Sequence, residues 1–172
     1  MYLADNFIKW SFFTILVVLF GSAFLLIELS LNSFSPIQIA FFRVFFASVF
    51  LLIYALLMGY KFNFIKKNFI LLFILGLSGT TIPFFLISWA QTTISSSETG
   101  ILIGFMPLFT IIGSHYFFKY ENLSFNKILG FILGLCGLFI LLMNNNEDVN
   151  IFGNLYAKVA VIISAFFYAL NA

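Results

Sequence analysis

With 172 residues, 63% hydrophobic and 8% charged, and a formal net charge of +2, the chain lies far from the soluble norm of about 25% charged and about 45–50% apolar residues. No soluble fold of this length could hide so much apolar surface, so lipid must be the solvent, and a charge so small and scattered gives no footing for a nucleic-acid partner. Cys136 is the single cysteine; it allows no intrachain disulfide and no thiolate metal cluster, reads as a small apolar residue in GLCGLF, and leaves no metal or cofactor to expect.

A helix needs about 20 mostly apolar residues to cross a hydrocarbon core about 30 Å thick. The first such stretch is Trp10–Leu31, behind Lys9. It exceeds the ~7–15-residue core of a signal peptide and lacks a small-residue cleavage site, so it reads as a retained span, with Glu28 near its far end. The second, Pro36–Met58, opens on a proline suited to a first helical turn and carries Arg43 about 10 Å along its axis. The third, Phe69–Ala90, contains Pro83, which has no N–H for the carbonyl of Gly79; Ser78, Thr80 and Thr81 stand nearby to satisfy freed backbone groups. Trp89 and Gln91 mark its far end.

The fourth span, Thr99–Phe118, follows SSSETG. Ser95-x-x-Glu98 has the spacing of a capping box, in which Ser95 accepts from the amide three residues on and Glu98 reaches back to the cap amide. The same carboxylate complements the positive end of the helix dipole. Pro107 lies about 14 Å beyond Glu98, near mid-membrane. His115 reads as an interface or packing residue. The fifth span, Ile128–Met143, is spaced by Gly130, Gly134 and Gly137; GFILG here and GILIG at Gly100–Gly104 are small-xxx-small patterns that let helices approach closely. A sixth stretch runs from about Phe152 to Ala172. The expected fold is therefore an all-α, polytopic helical bundle of about six spans: a five-span repeat over 10–143, then the first helix of a second, inverted repeat over 152–172. SAF at Ser22–Phe24 recurs at Ser164–Phe166, and an odd number of spans inverts a following copy. VAVIISAFFYALNA stops without a basic anchor, as an incomplete gene product would. The 27 phenylalanines are assigned to lipid and helix interfaces and need no ligand.

Basic residues set the expected orientation. Lys9, the 59–68 connection with Lys61, Lys66 and Lys67, and the 119–127 connection with Lys119 and Lys127 alternate with NSFSP, QTTISSS and NNNEDVN, which hold no lysine or arginine. Basic loops stay in the cytosol, which puts the N-terminus there; Glu121 reads as a loop anchor for Lys119 or Lys127. Glu28, Arg43, Glu98 and Lys158 then share the outer third of the membrane. A charge at mid-helix costs about 2.5–3.5 kcal/mol to insert. Two acids and two bases at one depth can pair; the plainest use of Glu28 and Lys158 is to pair or snorkel, and of Glu98 to cap. The sharper expectation is that Arg43 faces a central cavity and sets charge preference, while Glu98, with Glu28 and Lys158, serves coupling or gating.

The ordered motifs carry a resemblance. FGSAF, FFRVFFAS with Arg43, LGLSGTTIPFFLISWAQTTISSS with Gly76, Gly79, Trp89 and Ala90, Pro107, Glu121, and GFILGLCGLFILL with its three glycines together resemble the EamA-type members of the drug/metabolite transporter superfamily. Phe20 stands where that family has a tryptophan, and Glu98 where it has a small or apolar residue. The resemblance implies ten helices in two inverted repeats and the movement of a small metabolite, an amino acid or related compound, by export from a cell through a multi-pass protein of the inner membrane. Gly/Pro-interrupted helices point to a transporter's binding site, which places Arg43, Gly79, Pro83, Trp89, Gln91, Glu98, Gly104 and Pro107 on the expected pathway. Gly100, Gly104, Gly130, Gly134 and Gly137 are assigned to helix packing. Expected partners are the bilayer, a small-molecule substrate, and either a second repeat or a homodimer partner. No catalytic constellation is present, so an enzyme is disfavoured; a non-transporting scaffold and an inactive half-transporter fragment stay open.

Overall fold

A computed structural model describes residues 2–60, 68–117, 128–130, 132–134, 136–137, 140 and 155–171. The connections 61–67 and 119–127, with Lys61, Lys66, Lys67, Lys119, Glu121 and Lys127, lie outside the described residues, as does the asparagine-rich turn at 144–150. All regular structure among the described residues is helical. Helix α1 is Tyr2–Ser30 and α2 is Pro36–Leu57; α3, Phe69–Gly76, runs through a π-helical segment, Leu77–Thr81, into α4, Ile82–Ala90. Helices α5, Ser96–Ile103, and α6, Met106–Phe117, form the fourth span, and α7 is Leu155–Leu170. Four of these stretches, Ile8–Ser30, Pro36–Leu57, Phe69–Ala90 and Ser96–Ser114, are long and apolar enough to cross a membrane, matching the first four expected spans to within a few residues. The protein is an all-α membrane bundle.

Local chemistry explains where these helices start and stop. At the start of α2, Gln38 Oε1 accepts from the Ser35 amide at 2.9 Å and from its hydroxyl at 3.0 Å, with Pro36 in the first turn. The S-x-x-Q spacing is that of a capping box and was not singled out from the sequence. At the other end of α2, Gly59 takes φ 70°. The Tyr60 amide donates to the Ala55 carbonyl and the Gly59 amide to the Leu56 carbonyl, the two bonds of a Schellman turn, which needs a residue without a Cβ penalty in the left-handed region.

Both expected proline interruptions take a definite form. Pro83 sits at the start of α4, and the chain before it widens into a π turn in which the Ile82 amide reaches back five residues to the Leu77 carbonyl. Widening spares a regular helix the clash between the proline ring and the carbonyl four residues earlier. The nearby hydroxyls do take up carbonyls, though not that of Gly79: Thr80 Oγ1 donates to the Gly76 carbonyl at 2.7 Å and Ser78 Oγ to that of Ile74 at 2.8 Å. At Pro107 the helix breaks earlier, at Gly104–Phe105, and α6 restarts with the proline in its first turn, where no N–H is required.

Helix α7 is the hub, packing against α4, α6, α5 and the π segment. Two apolar clusters hold it: Ala90, Ile94, Ala157 and Val161; and Ile27, Ile39 and Ile87, with Tyr168 and Phe24 against them. Both lie toward the end of the bundle that carries the 31–35 and 91–95 connections. Toward the opposite end, Phe12–Gly21, Phe45–Tyr54 and Phe73–Leu77 are exposed throughout. Helices in lipid gain little from apolar transfer, so close packing and interhelical polar bonds decide which surfaces meet. The interhelical polar bonds among the described residues cluster where the chain is packed.

Candidate functional site

Three groups of side chains meet within the packed half. The first surrounds the start of α5. Ser95 is the N-cap, and its Oγ accepts from the Glu98 amide at 3.2 Å, so the serine half of the expected box is formed. Its reciprocal half does not form among the described residues: the Glu98 carboxylate instead faces Lys158 on α7, Oε1 to Nζ 3.5 Å, with both side chains 15% exposed. Glu28 on α1 supplies the cap's second acceptor, as the Ser96 amide donates to its Oε2 at 2.8 Å. An orphan helix-start amide and the dipole both favour a carboxylate there. Glu28 thus ties α1 to α5, and Glu98 ties α5 to α7. Gly100 adds contact on the α1 side, since a Cβ there would lie 3.7 Å from the Phe24 ring.

The second group is buried and incompletely bonded. Gln91 Nε2 donates to the Phe24 carbonyl at 3.2 Å, while its Oε1 and the hydroxyl of Ser88, three residues earlier on the same face, find no partner among the described residues. Ser88, Ser164 and Thr99 are fully buried; Ser164 Oγ donates to the Ala160 carbonyl at 3.0 Å and Thr99 Oγ1 to that of Ser95 at 3.0 Å. Trp89 points outward at 42% exposure.

The third group centres on Arg43. Its guanidinium carbon lies 3.9 Å above the centroid of the Phe84 ring, and Phe84 meets Tyr168 of α7 edge to face at 6.5 Å. Helices α2, α4 and α7 converge here, beside the π segment. One turn further along α7, Asn171 Nδ2 donates to Ser78 Oγ at 3.2 Å and to the Phe167 carbonyl at 2.9 Å. Its side chain comes so close to Gly79 that a Cβ there would stand 3.0 Å from Asn171 Cγ. Gly79 therefore serves the approach of α7 to the broken span. Phe84, Tyr168, Ser88 and Asn171 were not singled out from the sequence. A signal existed for two of them: Ala157, Val161, Ser164, Tyr168 and Asn171 recur at alternating spacings of four and three, one face of a helix, and that face turns polar along its length.

Between α2 and the third span lies a cavity of about 610 Å³, lined by Ala40, Val44, Ser48, Thr81, Phe85 and others. Its wall is apolar, and Arg43 does not line it. Gly130, Gly134 and Gly137 have open space where a side chain would stand, with nothing within 4 Å among the described residues. The structure therefore brings Gly79, Pro83 and Arg43 together at one level and Gln91 and Glu98 at another, with Pro107 at the start of α6.

A model of the EamA-like transporter family matches residues 8–143. An uncharacterized transporter of Archaeoglobus fulgidus is 26% identical over 159 residues, 92% of this chain and 55% of that protein. The uncharacterized transporter YdfC of Bacillus subtilis is 28% identical over 128 residues, 74% of this chain and 41% of its own length. The chain thus spans about half the length of the curated relatives it matches. No solved structure matches it at a significant level.

Proposed function

The chain belongs to the EamA-like transporter family, and from that premise we propose that it moves a small metabolite, an amino acid or related compound, out of the cell across the inner membrane. The observation that carries the reading is the pair of interrupted spans seated against α7: the π segment with Pro83 and the break at Gly104–Phe105 before Pro107. Interrupted helices free backbone groups inside a bundle, and such groups are what a membrane-embedded binding site uses. A scaffold needs neither broken spans nor charged side chains at depth. Because the chain spans about half of its relatives' length, a second repeat or a second copy would complete the wall of the passage.

Coupling to protons belongs to the same proposal. Protonating Glu98 cancels its attraction for Lys158, 3.5 Å away, and so loosens the tie between α5 and α7. Uptake of radiolabelled amino acids into proteoliposomes holding the purified protein tests the reading. The expected result is uptake above protein-free vesicles, driven by an imposed pH gradient and made pH-independent in Glu98→Gln. Folded protein that moves no member of a broad amino-acid panel would favour the scaffold, and a pH profile unaltered in Glu98→Gln would leave Glu98 as a structural tie.

A further inference from the structure

The Arg43 guanidinium has five N–H donors and no acceptor of its own. Among the described residues, no carbonyl, hydroxyl or carboxylate accepts a hydrogen bond from it, and it forms no ion pair. The two described in-span acids are committed elsewhere, Glu28 to the Ser96 amide and Glu98 to Lys158. The Phe84 face meets the charge but has no lone pair to offer the donors. A cation contact of this kind supplies about 0.5–2 kcal/mol, against about 2.5–3.5 kcal/mol to place an arginine at depth. The residue is thus positioned, half-buried and undercompensated. Beside it the Tyr168 ring packs on Phe84, and its hydroxyl, close enough to Arg43 to interact with it electrostatically, makes no hydrogen bond among the described residues.

We propose that Arg43, walled by Phe84 and Tyr168, is the binding site for a carboxylate group of the transported small molecule. The proposal rests on the transporter reading and adds the residue that holds the substrate and the group it holds. A planar guanidinium held by one face against an aromatic ring keeps its donor edges for a carboxylate, which it meets bidentately. The Tyr168 hydroxyl is a further donor at the same place. An anion bound there supplies the missing counter-charge and travels with it. The apolar Phe84 wall suits the hydrocarbon part of such a molecule.

The test uses the purified chain in dodecyl maltoside micelles, which carry no phosphate and so exclude a lipid headgroup as the anion. The probes are benzoate against benzamide and N-acetylleucine against N-acetylleucinamide, pairs matched in shape and differing in charge, with binding followed by thermal shift and tryptophan fluorescence. Each acid is expected to bind at least about tenfold more tightly than its amide, as loss of a charged hydrogen-bond partner implies. That preference should vanish in Arg43→Gln and survive in part in Arg43→Lys, which keeps the charge but loses the planar fork. Equal binding of acid and amide, no binding of either acid, or an acid preference that persists in Arg43→Gln overturns the proposal. Counterflow in proteoliposomes separates the two readings: flux of neutral or cationic compounds without acid preference sinks the carboxylate site and leaves the transporter, whereas acid-selective binding without flux does the reverse.

Discussion

Glu28, Glu98 and Lys158 surround the first turn of α5 with every charge engaged, by a backbone amide in one case and by each other in the remaining two. Arg43 sits on an aromatic ring with no anionic partner among the described residues. Both regions face the same cost of holding charge in a lipid-embedded bundle. Where a charge is matched inside the chain it joins helices, as α1 to α5 and α5 to α7. Where it is left unmatched it contributes little to the fold and is available to something that arrives. Proteins tend to leave such local mismatches at functional sites. The difference between the two regions can therefore be measured as stability: removing a charge from the first should cost, and removing one from the second should not.

Lys158→Met is the largest expected effect. It strands Glu98 at 15% exposure without its cation. Breaking a fully buried pair costs about 3–5 kcal/mol and an exposed one about 0–1 kcal/mol, so this partly exposed pair should cost about 2 kcal/mol in denaturation of the micelle-bound protein. Adding Glu98→Gln should recover most of that loss, because the stranded charge is then gone. A double variant as unstable as the single one would show that Lys158 holds α7 by other contacts, and that the pair is incidental.

Ser95→Ala comes next. Removing a serine N-cap costs about 1 kcal/mol in most helices, but α5 has two side chains on its start: Ser95 on the Glu98 amide and Glu28 on that of Ser96. With Glu28 still in place, the expected loss is nearer 0.5 kcal/mol, and Glu28→Ala in the same background should bring the total to about 1.5 kcal/mol. Simple additivity of two unrelated surface changes would leave α1 and α5 without the proposed tie. The readout is the thermal midpoint of each variant against wild type.

How legible these regions were in the sequence follows from how local they are. The first four spans follow from length and hydropathy, and the cap at Ser95 from a four-residue spacing. Charges of opposite sign at one depth suggested pairing, and Glu98 with Lys158 bears that out. The partner of Glu28 was not legible, since a backbone amide of another helix leaves no mark in composition. Pro83 announced an interruption but not its form, because a kink and a π turn satisfy the same steric demand. Arg43 was visible as a charge out of place. Its seat on Phe84 beside Tyr168 needs three helices brought together over 125 positions of chain, from 43 to 168, which no local pattern encodes.

Arg43→Gln gives the smallest change in stability and the sharpest test of the comparison. The substitution forfeits the contact with Phe84, about 0.5–2 kcal/mol, and relieves an insertion cost of about 2.5–3.5 kcal/mol, part of which snorkelling and local water already reduce. Once that reduction is taken into account the balance still tips toward relief, so the variant should unfold no more than about 0.5 kcal/mol below wild type, or at a higher midpoint. Phe84→Leu, which removes the ring and keeps the cation, should be the less stable of the two. If Arg43→Gln instead cost more than about 1 kcal/mol, the guanidinium would have a structural partner of its own. Arg43 would then belong with Glu28, Glu98 and Lys158 among charges that hold the bundle together, and the two regions would differ in position alone.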